Sequence, residues 1–312
     1  MKSTFWAAAL LGSSLLSAQT NWENVHITDE YKADVKLPGS MAKSFKKNPT
    51  FINDYTLVQS TVMKGRSQAG VMQKQGVGNV YSEAALGGVS EEALQKLVAE
   101  CYAQFVTELK SIGLNITEGD EVMKGDYAEK KKDKESNVIA KADGQGEKEE
   151  LGMMHPEGYD TRERYMFRPE GKNIFITTKK IPGTFYMKLA KAENINLMNV
   201  KYVVKFADFE GSKTMSRNTL TTSAGLTILP SINFTDPSGK YGWVAFKKPI
   251  EGNNDWSKGL EKVSSSDGSY LGFASSADYA LTADEAKYIA ELRAIILKTQ
   301  KDIVAELKKE ME

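Results

Sequence analysis

The chain has 312 residues, with 41 Lys+Arg against 41 Asp+Glu, two His and one Cys, and 41% of it is hydrophobic. This composition suffices for a buried core, and it excludes a disordered chain, a disulfide-stapled mini-protein and a multi-pass membrane protein. The formal charge of zero argues against a nucleic-acid binder, which needs a basic excess.

The first residues read as an address. Lys2 supplies a small positive region, Phe5 to Leu16 is apolar with a few small breaks, and Ser17-Ala18-Gln19 offers a small-residue cleavage site. That order predicts a secretory signal peptide over 1–18, cleaved after Ala18. The apolar run is shorter than the roughly 20 residues a spanning helix needs, and no other segment reaches that length, so no membrane span is expected. Gln19 directly after the cleavage site resembles exported proteins of the Bacteroidetes bacteria. The only cysteine, Cys101, is far from that site, so a lipoprotein anchor at this cleavage site is not expected.

Residues 19–50 are polar, with Pro38, Gly39 and Pro49 as breakers, and are expected to form an irregular arm. A single α/β domain is expected over 51–312. Tyr55 to Val62 alternates and is rich in β-branched and aromatic residues, which predicts a strand. Residues 64–88 carry six glycines and predict an extended loop. A helix is predicted next. Ser90 caps it, Glu91 and Glu92 suit its positive end, and Leu94, Leu97, Val98, Cys101, Phe105, Leu109 and Ile112 line one face. Gly113 stops it, and Leu114 to Thr117 returns as a short strand. Residues 129–150 hold 13 charges in 22 positions, which predicts a flexible, solvated insertion.

Further strands are expected at Ile174 to Lys179, Thr184 to Leu189, Val200 to Phe206 and Leu226 to Phe234. Asp236-Pro237-Ser238-Gly239 has the order of a type I turn and leads into a strand over Tyr241 to Phe246. Thr282 and Glu285 read as a capping box for a long last helix, with Ile289, Leu292, Ile296, Ile303 and Leu307 on its buried side. The fold class expected is α+β (α/β-like), a mixed or mostly antiparallel sheet with a helix after the first strand and a long C-terminal helix packed on it.

The search for catalytic chemistry names no catalytic residue, no metal ligand and no cofactor. His26 and His155 lack a ligand spacing, even with Glu157 and Asp160 nearby. Cys101 sits on an apolar helix face, where a small buried hydrophobe is the expected role. The run Gly76 to Tyr81 lacks the third glycine of a dinucleotide loop, and no helix follows at once. Glu118, Asp120 and Glu121 read as a solvated turn. Asn115-Ile116-Thr117 and Asn233-Phe234-Thr235 match a glycosylation sequon but fall in expected strands.

Two passages resemble a family of bacterial envelope domains: the curli secretion channel subunit, the outer-membrane activators of peptidoglycan synthases and the amino-terminal domain of the Tol translocation protein. One is Leu94 to Ile116, ending QFVTELKSIGLNI; the other is LTILPSINFTDPSGKYGWVAF. The resemblance implies an envelope scaffold or regulator without catalysis; joined to the signal peptide, it gives the expectation of a non-enzymatic exported protein, in the periplasm, at the outer membrane or outside the cell, that binds or scaffolds another envelope component. An envelope protein is the expected partner, and the sequence leaves homo-oligomerisation open. An exported ligand-binding or adhesion module is the alternative, and a secreted carboxylate-dependent hydrolase is the third reading. An aromatic-lined surface would favour the ligand module, with Trp22, Trp243 and Trp256 as the side chains to inspect.

Overall fold

The computed structural model describes residues 33–67, 78–122, 124–125, 137–141, 147–150, 159–177, 182–213, 218–246, 249–266 and 275–312. The expected signal peptide, Trp22, His26 and His155 lie outside the described residues. In chain order the elements are β1 (Ala33–Lys36), α1 (Gly39–Lys47), β2 (Thr50–Ser67), β3 (Val80–Gly87), α2 (Glu91–Ser111), β4 (Ile116–Thr117), α3 (Gly119–Val122), β5 (Asn137–Lys141), β6 (Glu147–Glu150) and β7 (Tyr159–Phe167). They continue with β8 (Asn173–Thr177), α4 (Pro182–Glu193), β9 (Asn196–Lys213), β10 (Asn218–Thr235), β11 (Tyr241–Phe246), β12 (Ile250–Glu251), β13 (Ser257–Ser266), β14 (Ser275–Ala283) and α5 (Glu285–Met311).

One large mixed sheet organises the chain, so the fold is α+β. Its main path runs β1-β11-β10-β9-β2-β3-β14-β13. β9 meets β2, and β3 meets β14, in parallel; the other neighbours on the path are antiparallel. β4 and β7 also pair with β2, β6 with β7 and β12 with β10, while β5 and β8 form a separate two-stranded ribbon.

One face of the sheet holds the main core. α2 lays Leu97, Cys101, Phe105 and Leu109 on it, and α5 adds Leu292, Ile296, Ile303 and Leu307. They meet Tyr55, Val200, Tyr202, Val204, Ile232 and Phe234 from the central strands. Two of the polar pairs admitted there are hydrogen-bonded across elements: Tyr288 Oη donates to Gln59 Oε1 at 2.9 Å, and Gln300 Nε2 donates to Tyr55 Oη at 2.5 Å. Trp256 packs edge-on against Tyr288, with centroids 4.9 Å apart. Arg293 of α5 and Glu100 of α2 tie the two helices at their rim, at 2.6 Å.

Several expected boundaries need correction. The arm over 19–50 is not irregular throughout: β1 joins the large sheet and α1 buries Met41 and Phe45 in the core. Phe45 meets Phe234 edge to face at 5.6 Å, and Ser44 Oγ donates to Asn196 Oδ1 at 2.6 Å. Pro38 stands at the N-cap of α1, where its fixed φ suits a helix start rather than a loop. Among the described residues the first helix is therefore this short one. The expected loop over 64–88 contains the end of β2 and all of β3. The charged tract over 129–150 contains β5, whose Val138 and Ile139 favour a strand and which pairs with β8, and β6, which has no apolar residue and pairs with β7. Residues 184–189 are helical, not extended, because Phe185, Leu189 and Ala190 recur at helical spacing and pack against Phe51 and Leu197.

The two clearest helix ends deserve separate mention. α2 starts as expected, with Ser90 Oγ accepting from Ala93 N. It ends in a left-handed Gly113 at φ 89°, and Leu114 N donates back to Leu109 O. At α5 the expected capping box is absent, because Thr282 belongs to β14. Asp284 is the N-cap, accepting from Lys287 N at 3.3 Å. Glu285 instead reaches the start of α2, where it accepts from Ser90 N at 2.6 Å, and hydrogen bonding from the Ser90 side chain first and this backbone N–H second lowers its carboxyl from the ordinary value.

Candidate functional site

On the face opposite the main core, the strands carry a row of amides that ends in exposed aromatics. Alternation explains the row. In β9, Met198 and Val200 point into the core, so Asn199 points away. Register then sets Asn199 beside Asn233 of β10, and Asn233 beside Trp243 of β11. A register shift in β2 between Ile52 and Asp54 leaves Asn53 as an extra residue, and such a bulge re-aims its side chain.

The hydrogen bonds run in one line. Asn53 Nδ2 donates to Asn199 Oδ1 at 2.9 Å, and Asn199 Nδ2 donates to Asn233 Oδ1 at 3.0 Å. Asn53 is fully buried and Asn199 is buried, whereas Asn233 is half-buried. The burial therefore relaxes from β2 outwards to β11.

At the inner end lies a charged cluster. Arg168 Nε donates to Thr56 Oγ1 at 3.1 Å and to Asp54 Oδ1 at 3.4 Å, and Gln95 of α2 holds the Arg168 carbonyl at 2.6 Å. Tyr186 of α4 joins it through a hydrogen bond with Asn53. Burial first, then the Asp54 charge, pushes the Tyr186 hydroxyl up to about 12. That phenol is a neutral hydrogen-bonding group at physiological pH, not a base.

At the outer end, Tyr241 and Trp243 sit two residues apart on one face of β11. Their rings are 6.0 Å apart and within 29° of parallel, and they are 45% and 46% exposed. Among the described residues, Val263 on the edge strand β13 is the one other exposed large hydrophobic. The turn before β11 forms as its residues predict: Gly239, at φ 80°, donates to Asp236 O at 2.9 Å, and Asp236 Oδ1 accepts from Ser238 Oγ and Lys240 N. This tight turn fixes the register that brings Trp243 beside Asn233.

The residues weighed from sequence fall elsewhere. Cys101 is buried under α2, and burial pushes its thiol up to about 12, far from a reactive thiolate. Trp256 is core, as is the usual fate of tryptophan, but Trp243 is not. Glu118 pairs with Lys172 at 2.6 Å, and Glu121 accepts from Thr117. Among the described residues no group of three or more His, Cys, Asp or Glu converges on a metal position. After Gly78 and Asn79 a strand begins at Val80, so the geometry of a dinucleotide loop followed by a helix is not formed. Asn233, in a sequon, is engaged by Asn199. One carboxyl is displaced upwards: burial and the neighbouring Glu251 and Glu210 raise Asp208.

Sequence reasoning missed Asn53, Asn199, Asn233, Tyr186 and Arg168. Each asparagine occupies an outward position of its strand, but nothing local shows that the three share a row. No family model, curated protein or solved structure matches the chain. Among the described residues, no helix is long and apolar enough to cross a membrane.

Proposed function

We propose that the protein is a non-enzymatic exported component of a bacterial cell envelope, and that it binds another envelope component through the β10–β11 face. The observation that carries this reading is the exposure of Tyr241 and Trp243, side by side, at the end of a hydrogen-bonded polar row. Large aromatic side chains are costly to leave in water, and exposed ones mark binding surfaces. The export part rests on the order of charge, apolar run and small residues over 1–18. The resemblance to envelope domains suggests a protein partner or a second copy. The small extent of the aromatic patch favours the ligand-binding alternative.

The test is capture from envelope extract by the mature protein and by a Tyr241→Ala, Trp243→Ala double variant. Loss of the captured component with an unchanged melting temperature is expected. An unchanged captured set would contradict the assignment of the face. Intact-mass measurement of exported protein should show a chain beginning at Gln19; retention of Met1 to Ala18 would contradict export by cleavage.

A further inference from the structure

We infer that the component held on this face is a glycan: Tyr241 and Trp243 stack on the C–H face of pyranose rings, and Asn233 bonds their substituents. This rests on the reading that the face binds. The chemistry of the patch selects the occupant in three ways.

The first is size. An aromatic side chain fully covered removes about 150–250 Å² from water, and these two are already half-covered. Their free aromatic area is therefore far short of the roughly 800 Å² that each side of a stable protein interface buries. It matches one or two flat rings. The second is shape. The planes lie within 29° of one another, on a strand in the sheet rather than at the tip of a loop. Two flat rings held side by side on a regular strand suit a chain lying across that strand better than insertion into a lipid surface. The third is polarity. Trp243 is paired in register with Asn233, and paired side chains across two strands have Cβ atoms about 4.5–5.5 Å apart. One sugar ring on Trp243 is thus within reach of the Asn233 amide.

Asn233 is also pre-set for this job. Its Oδ1 accepts from Asn199, which in turn accepts from Asn53, so the amide cannot flip alone without breaking the row. Its Nδ2 has no partner among the described residues. The row therefore ends in a donor of fixed direction beside an apolar ring face. A carbonyl oxygen is the acceptor that such a donor matches best among sugar substituents, because its lone pairs lie in a plane. The acetamido group of an amino sugar supplies one. Ser231, one pairing further along β10 and exposed, adds a hydroxyl on the same face.

The experiment is calorimetric titration of the mature protein with chitotetraose, and with cellotetraose, which has the same linkage but no acetamido groups. Chitotetraose should bind, and cellotetraose should bind at least several-fold more weakly. Trp243→Ala should weaken chitotetraose at least tenfold, while Trp243→Phe keeps part of the affinity. Asn233→Asp, which exchanges the free donor for an acceptor, should remove the preference for chitotetraose. Absence of binding to both sugars at millimolar concentration overturns the inference, and so does binding that Trp243→Ala leaves unchanged. If neither sugar binds but the double variant still loses its capture from envelope extract, the glycan inference falls and the binding face stands. If capture is also insensitive to the double variant, both fall.

Discussion

The two faces of the central sheet are built from the same strands yet obey different rules. On one, α1, α2 and α5 cover Tyr55, Val200, Tyr202 and Phe234, and polar side chains enter as bonded pairs such as Tyr288 with Gln59 and Gln300 with Tyr55. On the other, neighbouring positions of those strands carry Asn53, Asn199 and Asn233, and β11, next to the edge strand β1, leaves Trp243 in solvent. The first arrangement stabilises, because apolar burial grows with area removed from water. The second buries a smaller apolar cluster, Phe51 and Leu197 under Phe185 and Leu189 of α4, and beside it fixes polar atoms in direction. A sheet that commits one face to the core is free to present the other.

Substitutions on the two faces should therefore differ in kind as well as size. The largest effect is expected for Leu292→Ala, fully buried on α5. Truncating a buried leucine costs about 2–5 kcal/mol, read from urea unfolding. A cost below about 1 kcal/mol would show that the helix is not seated on the core. Next is Asn199→Ala, which removes an acceptor from Asn53 and a donor from Asn233. Leaving a buried polar group unpaired costs about 1–3 kcal/mol. A neutral result would mean that the row is not a connected unit.

Cys101→Ala should cost about 1 kcal/mol, as a small buried side chain does. The same residue gives a pH test. Its folded pKa is raised from 9.0 to about 12, so the unfolded chain releases the proton first. Its contribution is complete below about pH 9 and is lost as pH rises towards 12. The phenols of Tyr55 and Tyr288, raised by burial, act in the same direction. Urea midpoints should be level from pH 7 to about 8.5 and fall above that, less steeply in Cys101→Ala. A native thiol that reacts as fast as the unfolded one with a disulfide reagent at pH 8 would contradict the burial. The smallest effect on stability is expected for Trp243→Ala, within about 0.5 kcal/mol, the range of exposed sites.

Much of the core face was legible in the sequence, because its signals are local. The helix from Ser90 to Gly113 shows its cap, its apolar spacing and its stop within 24 residues, and α2 follows them. The hairpin around Asp236-Pro237-Ser238-Gly239 is equally self-contained. Where the reading failed, the deciding partner lay far away. β13 and β14, rich in Ser, Ala and Lys, have little strand propensity and form through pairing with each other and with β3. Glu285 looked like the third residue of a capping box, but its partner is Ser90, 195 residues earlier. The amide row was invisible for the same reason: Asn53 and Asn199 are 146 residues apart, and only the parallel pairing of β2 with β9 makes them neighbours. Trp243 was in view among the aromatics, but the face it takes is set by the pairing of β11 with β10, which places it beside Asn233 and leaves Val244 in the core.

The most direct measurement compares one variant from each face in both assays. Trp243→Ala and Cys101→Ala are prepared alike, and each is measured for capture of the envelope component and for unfolding free energy. The expected pattern is crossed: Trp243→Ala loses capture and keeps its stability, while Cys101→Ala loses about 1 kcal/mol and keeps its capture. If both losses fall on the same variant, or if neither variant changes capture, the two faces do not divide stability and binding between them.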